Sequence, residues 1–245
     1  MQPPDQFAGM VARHRFVWLF ATLLVFFLIA PVDQQLRAAG HAGLPPILEP
    51  ALFVILLVAV VVSISRSRAW KSFTVALALP AAVLWVLHRA LASDHLEITR
   101  HLFLVAFLGY AIARILHVIF ATRQVTFNIL CASLCVYLLL GVVWALAYSV
   151  MATLDPGAFR STLHGGEPIV LHFRPGRAAD VLYFSFTTMT TVAYGDIVPA
   201  SPVTRVLACL EALGGQFYLT VLVARLVGLH ITHAQERAHV EQPSN

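Results

Sequence analysis

The stretch TTVAYGDIVP, residues 191–200, decides how the rest of the chain is read. It is a short polar turn between two apolar runs. The run before it, ADVLYFSFTTMT at 179–190, is too short to cross a bilayer, since a spanning helix needs roughly 20 mostly apolar residues. The run after it, 203–230, is long enough. A short apolar piece at membrane depth is tolerated only where it is buried in protein or lines a wet cavity. Residues 179–190 therefore read as a half-helix that dips into the membrane and delivers 191–196 to its middle. Asp180 suits the N-terminal end of that half-helix, and the C-terminal carbonyls carry about half a negative charge toward the turn. Several such ends around one axis would hold a cation. One chain has one dip, so a ring requires several copies.

Working outward, the whole chain is membrane-like. It is 59% hydrophobic and 11% charged over 245 residues, against about a quarter charged in soluble domains. Spans are expected near 15–32, 47–65, 70–92, 101–122, 126–152 and 203–230, which makes six helices. The fold class expected is an all-α membrane protein with a re-entrant pore helix. Arg13 and Arg15 before the first apolar run, with RAAG at 37–40, also resemble a leader sequence; a retained helix is the expectation. Arg13, Arg15, Arg66, Arg68, Lys71 and Arg123 fall on one side of the membrane if the spans alternate, which makes that side, and both termini, cytoplasmic. Arg37 and Arg100 dissent. The net charge of +4 and the lack of a basic patch with interleaved aromatics imply no nucleic-acid partner. Cys131, Cys135 and Cys209 lie inside expected helices and read as small apolar packers. The segment 153–178 breaks the apolar pattern and reads as an external loop with a short strand pair around PIVLHF, residues 168–173. No nucleophile–base constellation, phosphate loop or metal motif is present, so neither an enzyme nor a resident cofactor is expected.

TTVAYGD closely resembles the potassium-channel signature, whose threonine-valine-glycine-tyrosine-glycine core forms the selectivity filter. The resemblance is strongest over 126–230, the two-helix pore unit, and the whole chain is similar to bacterial six-helix members of the potassium channel superfamily. It implies a homotetramer in a bacterial-type inner membrane, with membrane lipid and further copies of itself as partners, and a permeant K+, or Na+, as the only ligand. It divides the chain into a four-helix sensor-like domain at 1–124, a pore domain at 125–232 and a cytoplasmic tail at 233–245. Carried over, Thr191, Val192, Ala193 and Tyr194 would supply ion-binding carbonyls, Gly195 would end the row, and Asp196 would sit at the outer mouth. Tyr183 and Phe184 would brace the Tyr194 ring where many relatives carry tryptophans, and Thr187 stands where many carry a glutamate.

Ala193 departs from the signature. Aiming successive carbonyls one way demands left-handed backbone at some positions, which glycine takes freely and which costs alanine about 1–2 kcal/mol. Either the surroundings force Ala193 into the glycine conformation, or the peptide flips and the filter departs from its usual geometry; a departure is the expectation.

Glu211, an intramembrane carboxylate, is a functional-site candidate by default; a buttress for the filter is expected, paired with a pore-helix hydroxyl or Arg205. Gly214 and Gly215 read either as a hinge or as a close-packing point. Gln216, Leu219 and Val223 form a helical stripe assigned to the cavity below the filter. Within 102–122 the only arginine is Arg114, too little charge for steep voltage sensing. The residues after the last span are too few for a ligand-binding domain. His230 and His233 share a helix face and allow a proton or metal switch, although a solvated helix end serves as well. Alternatives from the same residues are a weakly selective cation channel, a non-conducting regulatory member and a subunit of a potassium-uptake transporter.

Overall fold

A computed structural model of the chain describes residues 14–41, 48–64, 79–80, 83, 94–122, 126–163, 165–173 and 178–240. Over these it is mainly helical: α1 Arg15–Ala38, α2 Leu48–Ile64, α3 Asp94–Ala121, α4 Phe127–Leu154, α5 Ala178–Met189 and α6 Pro202–Val240. Three short strands, β1 Phe159–Ser161, β2 Glu167–Pro168 and β3 Ile197–Pro199, form one antiparallel sheet in the order β2-β1-β3. Among the described residues, four helices are long and apolar enough to cross a membrane: 15–33, 95–121, 127–154 and 202–225. The expected span at 70–92 lies outside the described residues except for 79, 80 and 83, and α2 is a shorter apolar helix of 17 residues.

α4 is the organising element. Its N-cap Thr126 accepts a hydrogen bond from the Ile129 amide, which satisfies one of the free donors at a helix start. α1 and α3 both pack against α4, and α5 packs against α4 and α6. The core is continuous from Phe16, Leu19 and Leu23 of α1 through Phe107 and Ile115 of α3 to Leu139, Leu146 and Tyr148 of α4. The half-helix α5 meets bare backbone at Gly141, where a Cβ would lie 2.5 Å from the Phe186 ring. Glycine is required there by close approach, not by backbone angle.

Three expectations are corrected. α3 begins at Asp94, seven residues before the expected start at 101, because its first two turns carry Glu97, Arg100 and His101. These are polar and fail a hydropathy reading, yet they are buried in protein. The strand pair expected at 168–173 is displaced: β1 pairs with β2 and β3 instead. Leu171 and Phe173 turn into the core, and the Phe173 amide donates to Ser149 Oγ of α4 at 2.9 Å. Finally, α6 runs to Val240, ten residues past the end of the apolar run expected at 203–230.

Candidate ion-binding site

α5 spans 12 residues with Asp180 in its first turn, as its sequence suggests. It ends at Met189, and the chain then reverses through a tight turn in which the Thr191 amide donates to Thr188 O at 2.9 Å. From there the backbone alternates. Thr191, Ala193 and Gly195 take φ of 60, 42 and 81, while Val192 and Tyr194 keep negative φ. A strand of uniform L-residues points successive carbonyls to opposite sides; reversing the hand at every second residue turns them toward one side. Among the described residues, no protein group donates to the carbonyls of 191–194. The result is a short row of uncommitted oxygens at the negative end of a half-helix, which suits a cation.

Ala193 thus occupies the glycine-like conformation, the first of the two arrangements weighed from sequence, and the backbone does not show the departure expected. The conformation is held: the Ala193 amide donates to Thr187 O at 3.1 Å. The Thr187 side chain hydrogen-bonds back to Tyr183 O and Phe184 O of its own helix. Left-handed backbone costs an alanine about 1–2 kcal/mol, and a position so constrained by neighbours can hold it.

The aromatic supports divide their work. Tyr183 stacks on Tyr194 with centroids 6.3 Å apart and planes 2° from parallel. Phe184 instead is buried in the core. It packs edge-on against Tyr148 and Phe159 at 4.9 and 5.2 Å and so anchors α5 to α4 and to the outer sheet.

Glu211 is fully buried. It accepts from the Tyr148 hydroxyl at 2.6 Å and meets Ser185 Oγ of α5; Ser185 Oγ is also 2.8 Å from Gly141 O. Of the two expected partners, the pore-helix hydroxyl is the one found, while the Arg205 side chain donates to Pro199 O. Ser185 has one proton for two contacts. If it donates to Gly141 O, the carboxyl must donate to Ser185, and Tyr148 then supplies the remaining hydrogen bond. A neutral carboxyl satisfies all three contacts, whereas an ionised one leaves two oxygens facing each other without a proton. Tyr148 and Ser185 escaped the sequence reading because neither stands out in an apolar helix.

The glycine pair separates. A Cβ on Gly215 would lie 2.7 Å from Met189 O and 2.6 Å from Met189 Cγ, whereas Gly214 has open space around it. Gly215 is therefore the point where α6 touches the end of α5. Gln216 and Val223 are exposed and Leu219 is half-buried in the single chain, and His230 and His233 lie on α6 beyond the side chains described. Cys209, expected as a packer, is exposed, while Cys131 and Cys135 are buried.

The chain is similar in sequence to known channel proteins. Residues 124–230 match the family model described as an ion channel. Over 105 residues the chain is 30% identical to two-pore potassium channel 4 of Arabidopsis thaliana, covering 43% of this chain and 34% of that protein. It is 55% identical over 42 residues to two pore potassium channel b of Oryza sativa subsp. japonica, covering 17% of this chain and 12% of that protein. It is 40% identical over 53 residues to the inward rectifier potassium channel Kirbac3.1 of Paramagnetospirillum magnetotacticum, covering 22% and 18%. The chain spans about a third or less of the length of these relatives. The residues that match the ion-channel family model include α4, α5, the turn at 191–196 and most of α6.

Proposed function

We propose that the protein is a homotetrameric cation channel. It passes K+ passively through a ring of Thr191, Val192, Ala193 and Tyr194 carbonyls, in a bacterial-type inner membrane with both termini cytoplasmic. The observation that carries this is the alternating left-handed backbone at Thr191, Ala193 and Gly195, set at the end of a half-helix, with carbonyls free of protein donors. An ion gives up its water shell only where oxygens replace it, and several copies of this turn around one axis would supply them. The surface of the single chain supports assembly. Tyr194 is 74% exposed, and Leu210, Leu213, Phe217 and Val221 on α6 are exposed as well. Between the filter and α6 lies a groove of about 420 Å³ lined by Thr191, Tyr194, Arg205 and Cys209.

A weakly selective cation channel is the second reading, favoured by the strain at Ala193. One assay separates the two. Purified protein in liposomes is expected to pass K+ faster than Na+, with block by barium. Ala193→Gly is expected to raise the K+/Na+ permeability ratio by relieving about 1–2 kcal/mol per subunit. Absence of any cation flux from a folded tetramer rejects the channel; identical reversal potentials in the two forms reject a role for Ala193 in selectivity.

A further inference from the structure

The outer end of the filter is tied down. β3 follows the filter directly and pairs with β1, with Phe159 opposite Pro199 and Ser161 opposite Ile197. The next residue, Thr162, reaches the filter twice: its amide donates to Asp196 O at 2.8 Å, and its hydroxyl donates to Gly195 O at 2.8 Å. The Gly195 carbonyl is thus committed to a protein donor, unlike the carbonyls of 191–194. A carbonyl drawn to a hydroxyl is aimed at that hydroxyl, and its electron density is shared with the proton.

The clasp stands on a rigid base. Phe159 of β1 is buried against Tyr148 and Phe184. Ala158 O accepts from the Ala200 amide at 2.8 Å and from Thr204 Oγ1 at 3.1 Å. The sheet therefore moves with α4, α5 and the start of α6, and it holds Thr162 in place against Gly195.

We propose that Thr162 sets the outer limit of the ion row: its hydroxyl holds the Gly195 carbonyl toward the outer sheet, and Tyr194 supplies the outermost oxygens. The proposal rests on the channel function above and gives a physical cause for the row ending at Gly195. It makes Thr162 a specificity-determining residue 33 positions before the filter residue it controls.

Thr162→Val keeps the shape and the backbone link to Asp196 O but removes the hydroxyl, while Thr162→Ser keeps the hydroxyl. The full-length protein is purified in all three forms. Two quantities are measured: thermal stabilisation against K+ concentration, with Na+ as the reference ion, and K+ flux in liposomes. In Thr162→Val the freed carbonyl adds an outer ligand, so half-maximal stabilisation is expected at about threefold lower K+, a change well within the loss of one modest interaction. Thr162→Ser is expected to match the wild type. A Thr162→Val protein with unchanged or weaker K+ response, while the wild type binds and passes K+, overturns the role of Thr162 alone. A wild type with neither K+-specific stabilisation nor flux overturns the channel function and this inference with it.

Discussion

The residues before 122 and those after 126 are both built from apolar helices, and both carry polar ties between elements: in the first part Ser63 Oγ of α2 donates to Arg15 O of α1 at 3.1 Å. In the first part Phe16, Leu19 and Leu23 of α1, Leu56, Leu57 and Val60 of α2, and Leu104 and Phe107 of α3 belong to one apolar cluster. In the second part side-chain hydrogen bonds cross from element to element. Tyr148 and Ser185 meet Glu211, Tyr218 donates to Ser133 O at 2.7 Å, and Thr162 donates to Gly195 O. Apolar packing in lipid gives helices little orientation, because the surrounding chains are equally apolar. A hydrogen bond fixes distance and angle. At the turn, such a tie runs from Thr162 to Gly195 O at 2.8 Å.

Cations join the two parts at both ends of α3. Near its start, Arg100 donates to Phe173 O at 3.2 Å, and Glu97 lies 3.8 Å from His172. At its C-terminal end, Arg225 of α6 donates to Phe120 O and Thr122 O at 3.2 and 2.7 Å and lies over the Phe120 ring. A guanidinium suits the carbonyl end of a helix, where the dipole is negative.

The contrast can be tested most severely at Glu211. Glu211→Leu leaves the Tyr148 hydroxyl buried without its partner, at about 1–3 kcal/mol, takes one of the two partners of Ser185, and is expected to abolish a stable assembly on size-exclusion chromatography. Glu211→Gln can donate to Ser185 and accept from Tyr148, so it is expected to assemble like the wild type. Failure of the glutamine variant would show that a charged carboxylate is needed. A smaller effect is expected at Gly215: alanine there overpacks Met189 by about 1–3 kcal/mol, lowering the thermal midpoint, whereas Gly214→Ala fills open space and leaves the midpoint unchanged or raised. Equal effects at the two glycines would favour a hinge shared by both. The least effect is expected in the first part. Arg114→Gln should leave the steepness of any voltage dependence unchanged, since a single charge contributes only about 2.3 kcal/mol per 100 mV; a clear loss of slope in patch recordings would make α3 a sensor.

The sequence by itself determined what contiguous residues can encode: a membrane chain, a half-helix at 179–190, a polar turn at 191–196, and an intramembrane Glu211 that had to have partners. It also located the conflict at Ala193, because the demand for left-handed backbone is local. Only the tertiary structure decided how those pieces are held. Glu211 finds Tyr148 across 63 positions and Ser185 across 26. Gly215 rather than Gly214 meets α5, and the external segment sends Thr162 back to Gly195. Hydropathy and backbone preference act over a few residues and can be read in order along the chain. A hydrogen bond between distant residues depends on where folding returns the chain, and hydroxyls that form one look in sequence like those that do not.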